Sequence, residues 1–503
     1  MQLKIKSKIA FAIGAFGKDI VYMLVASYLL YYYNVVLGMD SVFIGVVMMG
    51  ARIFDALNDP LMGIIVSKTR TRFGKFRPWI LAGTVMNAVI TFALFATPNG
   101  DDSMMRIWLV VFYLAWGVSY TLMDIPFWSM IPAVTNPGKD REQLSSIARA
   151  ASGVGDALPT ILTMMIVPIL SASAIIADYK IGFKWWALII AVIFIVSEII
   201  CVLFVPEKKI DERDKAPTIK QMFGSLFKND QALTVVLSVI LVYTALNITS
   251  NLILYFFQFD VGNTDYYSIF VGAVFVVQVL VMLLLPLFRK KFSKYALFYA
   301  GFVFQIVGFI VLLAMAGTGV YRNITWALLI IPGALVYAGY GLLNVLLTIF
   351  LSDSVDYGEY KNGVREEAVI FSMQTFTVKL ASGIAVAIAG VVINLIHLDT
   401  EALTQTAETL SGLRFAVTVP PAIILVAGIL VFRRCYKLTE RRMNAVSDAL
   451  EKRRTGGLYG VSEKATRATL DDLVEVYEKE HGIYNPKKSR DQKFIKRYSE
   501  RQK

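Results

Sequence analysis

The chain of 503 residues is 56% hydrophobic and only 17% charged, and its mean hydropathy of +0.59 is too high for a soluble enzyme; a polytopic membrane protein is the class that fits. A net charge of +12 could suit a nucleic acid, but the cations gather in loops and tails beside apolar runs, which excludes that partner and points to membrane orientation instead. Two cysteines, Cys201 inside an apolar run and Cys435 at the end of another, are too few for a disulfide framework and leave no redox chemistry.

Twelve apolar stretches are long enough to span, near 9–34, 42–66, 78–97, 107–131, 146–171, 185–205, 231–257, 267–287, 296–316, 325–351, 367–396 and 413–435. The first holds Gly14, Gly17, Lys18 and Asp19 and lacks a small-residue cleavage site, so it reads as a span and not as a removable signal peptide. The second, "ARIFDALNDP", puts Arg52, Asp55 and Asp59 on one helical stripe. The loop after it, "SKTRTRFGKFRP", contributes Lys68, Arg70, Arg72, Lys75 and Arg77 without an acid, whereas the opposite loops read "PNGDD" and "HLDTEALTQTAE". With Lys4, Lys6 and Lys8 ahead of the first span, this asymmetry predicts a multi-pass protein of the inner (plasma) membrane with both termini in the cytoplasm.

The fourth span carries Tyr120, Asp124 and Trp128 at every fourth residue, the fifth carries Arg149 and the eleventh Lys379. A polar segment at 206–230 reads as a cytoplasmic linker between an N-terminal six-helix bundle, 1–205, and a C-terminal one, 231–436. The two halves echo each other: "RFGKF" at Arg72 recurs as "KFSKY" at Lys291, and "DREQL" at Asp140 as "VREEA" at Val364. Parallel repeats of six spans around a central cavity are the layout of the major facilitator architecture, so the expected fold is all-α, with twelve transmembrane helices in two six-helix bundles. The charged cytoplasmic tail, 437–503, is expected to be a solvated extension with an amphipathic helix in "TLDDLVEVYEKE".

A charge at the centre of a membrane helix costs roughly 2.5–3.5 kcal/mol on insertion scales, so such residues face a cavity and mark a pathway. Asp55 and Asp59 lie one turn apart, with Asn58 adjacent and Thr121 on the fourth span able to face them. Two such carboxylates must share a proton, pair with a base or hold a cation. Their oxygen-only surroundings suit Na⁺ or Li⁺ better than zinc or calcium; an internal salt-bridge network with Arg52 or Lys379 is the plain alternative. Tyr120, Asp124 and Trp128 suit a sugar, since a carboxylate accepts hydroxyl protons and an indole covers the apolar face of a pyranose. Arg149 could donate a fork of hydrogen bonds to hydroxyls or hold Asp19 and Asp124 in place. No nucleophile with a base, metal-ligand spacing or phosphate-binding glycine loop supports an enzyme.

"GAFGKD", "ARIFDALNDP", "RTRFGKFRPW", "YTLMDIPFWSMIP", "DREQL" and "SDSVDYGEYKNGVREEAVIFSMQTFTVK" together resemble the glycoside-pentoside-hexuronide:cation symporters, with the melibiose-transporting branch nearest. The resemblance runs from about Lys8 to Cys435. It implies symport of a glycoside with Na⁺, Li⁺ or H⁺ into the cytoplasm by alternating access, by a monomer in the bilayer and without a cofactor. Carried over by motif, the family's cation site falls on Asp55, Asn58, Asp59 and Thr121. Its sugar contacts fall on Lys18, Asp19, Tyr120, Asp124, Trp128 and Arg149, with Thr375, Val378 and the coupling lysine Lys379 opposite. Its gating network falls on Asp353, Asp356 and Glu359, paired with Arg141 and Arg365. Where melibiose-transporting members tend to carry an aromatic, this chain has Asn344, which turns the expectation towards a β-glycoside, pentoside or plant-derived oligosaccharide as much as an α-galactoside. The alternatives are a proton-only symporter of the same fold and a symporter for a lysolipid.

Overall fold

The computed structural model describes residues 3–98, 100–172, 175, 178–207, 224, 227–263, 265–399, 404–454 and 470–482. Among these, twelve long helices follow in chain order: α1 (Ile5–Tyr31), α2 (Ser41–Lys68), α3 (Arg77–Phe95), α4 (Asp102–Val134), α5 (Lys139–Ser171), α6 (Tyr179–Phe204), α7 (Asp230–Tyr255), α8 (Asp265–Phe288), α9 (Lys294–Thr318), α10 (Ile330–Asn362), α11 (Glu367–Leu395) and α12 (Ala407–Cys435). Two shorter helices, α13 (Glu440–Arg454) and α14 (Leu470–Glu480), form part of the tail, and no strand occurs among the described residues. Eleven of the long helices are apolar enough to cross a membrane; α2 falls short because it carries Arg52, Asp55 and Asp59. Its surface shows why it still spans: Ile53, Leu57 and Leu61 are exposed on one side, while Asp55 and Asp59 are buried on the other. Spacing by four keeps the apolar stripe towards lipid and the acids towards protein.

Local chemistry sets the helix ends. Asp40 accepts a hydrogen bond from the Phe43 amide at 2.8 Å, Asp101 one from Met104 at 3.0 Å and Ser293 one from Ala296 at 3.1 Å, so side-chain oxygens satisfy amides that have no partner within the helix. Gly363, with φ of 72°, stops α10 in the left-handed region that glycine enters without a Cβ penalty.

Helix packing repeats between the halves. In the first, α1 packs on α5 and α6, α3 on α4 and α6, and α2 on α4; in the second, α7 packs on α11 and α12, α9 on α10 and α12, and α8 on α10. The halves meet through α2 against α11 and α5 against α8, which are equivalent pairs under the same repeat. Within the first half the α1–α6 seam is close: a Cβ on Gly17 would lie 2.3 Å from the Ser197 Cβ, and one on Gly14 2.8 Å from the Cys201 Cβ. An even number of spans brings both ends of the bundle to one side, here called the terminal face.

The linker expected over 206–230 lies mostly outside the described residues. The tail does more than extend into solvent over its described part. Ala445, Val446, Ala449 and Leu450 of α13 and Leu473 of α14 form a small buried cluster with Tyr360 at the end of α10, because apolar residues three and four apart give α13 a face to bury. The helix expected in "TLDDLVEVYEKE" is α14.

Candidate functional site

Between the bundles lies a cavity of about 300 Å³, lined from the first half by α1, α2, α4 and α5 and from the second by α7, α8, α10 and α11. That volume is at the lower end of ligand sites in general. Its walls carry charges of both signs, which only a cavity wall or a paired partner can tolerate at this depth.

On one side stands Asp55, with its companion Asp59 one turn on and outside the lining. Asp59 is fully buried; its Oδ1 accepts from Thr121 at 3.0 Å and pairs with Lys379 Nζ at 2.9 Å. Its Oδ2 has no hydrogen-bond partner, nor has Asp55 Oδ1. Asp55 packs against bare backbone: a Cβ on Gly117 would lie 2.1 Å from Asp55 Oδ1. Arg52, on the same stripe, donates to Tyr22 at 2.8 Å and makes no ion pair with either acid. Asn58 is half-buried beside the pair. The α2–α4 and α2–α11 contacts thus assemble two carboxylates, one hydroxyl and one ammonium, with two buried carboxylate oxygens that have no hydrogen-bond partner. Oxygens alone, at this charge, suit a hard monovalent ion.

On the same half's wall, Lys18 is clamped by two further acids, at 2.5 Å from Asp19 and 2.9 Å from Asp124. Tyr120 donates to Asp19 at 3.0 Å, and Ser152 donates to the other oxygen of Asp19. Arg149 stacks 3.8 Å from the centre of the Trp128 ring, with Lys18 at 4.8 Å from the same ring, and its Nε donates to Thr348 of the opposite half at 2.9 Å. The indole expected to cover a sugar therefore carries a guanidinium on it here. Thr375, Val378 and Lys379 line the facing wall. Asn344 donates to Tyr243 at 2.9 Å and to Tyr340 at 3.1 Å, so the position that departs from the melibiose-type pattern belongs to a polar, hydrogen-bonded wall.

At the terminal face a dense ionic network ties the halves together. Arg141 of α5 is fully buried and pairs with Asp353 at 2.8 Å and Asp356 at 2.7 Å; Lys294 also pairs with Asp353. Arg365 reaches Asp356 and Glu359 at 2.6 Å each and Glu367 at 2.5 Å, and donates to the Pro132 carbonyl of α4 at 2.6 Å. Lys75 crosses between halves to Glu367 at 3.0 Å. Against the lowering that burial imposes, the carboxylates of Asp356, Glu367 and Glu359 hold the Arg365 guanidinium well above its ordinary range. Glu366 next to it is buried with both oxygens unpartnered. Burial pushes its carboxyl up to about 8, with Lys75 opposing and Glu367 adding to the shift.

The residues expected at the gate gather at the terminal face, whereas Asp55 and Thr121, expected at the cation site, line one cavity with the residues expected at the sugar site, and Lys379, expected among the sugar contacts, is paired with Asp59. Sequence reasoning passed over Tyr243, Gln278, Tyr340, Gln374 and Asp156 of the cavity wall, and Glu198 of α6, which is buried with both carboxyl oxygens unpartnered. Asp156 and Glu198 lie inside predicted spans and carry the same signal, a charge where lipid is expected, that marked Asp55 and Asp124. The uncharged residues carry no such mark.

The family described as MFS/sugar transport protein matches residues 10–440. A lactose permease of Lactobacillus delbrueckii subsp. bulgaricus is 29% identical over 469 residues, which are 90% of this chain and 73% of the permease. An isoprimeverose transporter of Lactiplantibacillus pentosus is 28% identical over 388 residues, 77% of this chain and 79% of the transporter. Among solved structures, a proton:xylose symporter of the major facilitator superfamily, bound to 6-bromo-6-deoxy-D-glucose, aligns with a TM-score of 0.63 at 14% identity, over 86% of this chain and 96% of its own. At that identity the likeness is one of fold.

Proposed function

This chain belongs to the MFS/sugar transport protein family, and from that premise we propose that it is a secondary active symporter, moving a glycoside or pentoside-containing saccharide into the cytoplasm together with a monovalent cation. It is a transporter and no enzyme, as are its relatives. The observation that carries the cation half of this reading is the pair of buried carboxylate oxygens without a hydrogen-bond partner, Asp55 Oδ1 and Asp59 Oδ2, of which Asp55 lines the same cavity as a clamped, aromatic-walled cluster suited to hydroxyls. The co-transported ion is Na⁺ or Li⁺, held by Asp55, Asp59 and Thr121 with Asn58 beside them.

Lys379 gives the pair a second role. Its ammonium pairs with Asp59, so an arriving cation competes with it for that carboxylate and frees it towards the sugar wall of Thr375 and Val378. The sugar site is Lys18, Asp19, Tyr120, Asp124, Trp128 and Arg149. Hydroxyls that accept from Arg149 and donate to Asp124 lift the guanidinium off the Trp128 ring and expose the indole to the sugar face. Because α4 serves both sites and Lys379 of α11 pairs with Asp59 beside the sugar wall, the coupling free energy is of the usual size, about 1–3 kcal/mol, and reciprocal. The ionic network is the cytoplasmic gate: Arg141, Asp353, Asp356, Glu359 and Arg365 close the terminal face, and loading of both sites favours its opening. On this reading the terminal face lies in the cytoplasm of the cell that carries the protein in its plasma membrane, and one chain suffices.

The test is uptake by proteoliposomes of a panel of labelled saccharides, lactose and isoprimeverose included, with and without an inward Na⁺ gradient. Accumulation driven by that gradient supports the reading. Sodium-independent uptake stimulated by external acid assigns the acid pair to the proton instead, and no accumulation of any saccharide under either gradient rejects the sugar.

A further inference from the structure

Glu198 of α6 takes no part in the sites described so far. Its side chain is fully buried, neither carboxyl oxygen has a hydrogen-bond partner, and no residue of α6 lines the cavity. It lies at the close α1–α6 seam, one residue from Ser197 and one turn from Cys201, the two residues that press on Gly17 and Gly14. The charged groups that act on it are Lys18 and Asp19 of α1 and Asp124 of α4. On its own helix Cys201 is its neighbour, and beyond that lies Arg77 at the start of α3, which donates to the Val205 carbonyl. Arg149 and Asp156 of α5 turn into the cavity. Asp140 and Arg141 of that helix are committed to Lys8 and Asp353 at the terminal face. Lys180 and Tyr31 to Tyr33 belong to the opposite end of the seam.

The cation acting on Glu198 is therefore Lys18, and Lys18 is spent on Asp19 and Asp124, a triad that already carries one negative charge in excess. A second excess charge behind it, with neither counter-ion nor donor, is costly in a medium of low dielectric, whereas a neutral carboxyl there costs far less. Once charged, Glu198 would compete for the Lys18 ammonium and draw it out of the clamp that orders Asp19, Asp124 and Tyr120.

We propose that Glu198 is a proton-binding site, separate from the Asp55–Asp59 pair, and that its proton is what leaves Lys18 committed to the sugar pocket. The protein then has two ion sites, one for a monovalent cation in the cavity and one for H⁺ behind it. Saccharide binding requires the protonated form and by reciprocity raises the affinity of Glu198 for its proton. The second clause rests on the sugar-site reading above; the first does not.

Two measurements on the full-length protein in lipid nanodiscs separate them. Infrared spectra in the carboxylic-acid C=O region at neutral pH are expected to lose one protonated-carboxyl band in Glu198→Gln and to keep it, shifted, in Glu198→Asp; wild type loses the same band on alkaline titration. A wild-type spectrum with no band assignable to Glu198 overturns the proton site, whatever the saccharide result. Lactose and isoprimeverose binding is then titrated with pH at saturating Na⁺, which holds the acid pair at fixed occupancy. The wild-type affinity is expected to fall by about tenfold per pH unit once Glu198 ionises, and Glu198→Gln to bind with an affinity that does not change with pH. A pH profile in Glu198→Gln that matches wild type overturns the coupling to Lys18. Failure of both saccharides to bind wild type at any pH rejects the sugar-site reading and with it the second clause, while the infrared result still decides the first.

Discussion

Gly117 shows how much of the site depends on single atoms. With Asp55 Oδ1 where its Cβ would go, Gly117→Ala must displace the carboxylate from the position it holds. Loss of one charge-assisted ligand is worth about 1.5–3 kcal/mol, so the Na⁺ concentration giving half-maximal uptake should rise at least about tenfold, as a sodium titration of uptake would record at unchanged protein level. Arg149→Lys keeps the charge but loses the planar face on Trp128 and the fork. Saccharide Kd should then rise by about tenfold with the sodium response retained, which equilibrium binding would register; an unchanged Kd would remove Arg149 from the site. Asp55, Asp59, Asp124 and Lys379 were legible because a charge inside a span is costly wherever it occurs, and Asp156 and Glu198 were legible by the same rule though not read. Tyr243, Gln278 and Tyr340 were not, since an uncharged polar residue is ordinary in a long span and only the meeting of α7, α8 and α10 gives these three a common wall.

At the scale of elements, the two echoing loop motifs turn out to be the two arms of one lock. Lys75 and Lys294 occupy equivalent places in "RFGKF" and "KFSKY", and Arg141 and Arg365 in "DREQL" and "VREEA"; all four are ion-paired at the terminal face. The equivalents Glu142 and Glu366 have parted: Glu142 pairs with Arg289 at 2.8 Å, whereas Glu366 has no partner. An acid whose value rises from 4.5 to about 8 on closing favours the closed form. That contribution is fully present below 4.5 and is lost as pH rises through about 8. Labelling of a cysteine placed in the network by a thiol reagent applied from the terminal face should therefore increase across that window, and Glu366→Gln should flatten the profile; a flat wild-type profile would contradict the role of Glu366. Arg141→Ala breaks a fully buried pair, a change that costs about 3–5 kcal/mol. The same labelling should then find the face open at all pH values. The twelve spans could be placed from sequence because apolar runs of this length have few other uses, and α14 because its amphipathic pattern is strong. α13, "ERRMNAVSDALEKRR", was hidden by its charge, and its few apolar residues make sense only against Tyr360.

At the scale of the whole molecule, the fold makes two like bundles meet through two equivalent helix pairs, α2 with α11 and α5 with α8, and each pair is bridged by an ion pair. Lys379 to Asp59 joins the first, and Arg289 to Glu142 joins the second at the terminal face. Under the proposed alternating access, rocking of one bundle on the other would strain both, which would couple ion occupancy to closure of the gate. The central claim is that the acid pair converts an ion gradient into saccharide accumulation. The direct measurement compares wild type with the double variant Asp55→Asn, Asp59→Asn in proteoliposomes under an inward Na⁺ gradient. The account predicts that wild type concentrates saccharide above the external level and that the double variant at most equilibrates it, whereas undiminished gradient-driven accumulation by the double variant would contradict the account.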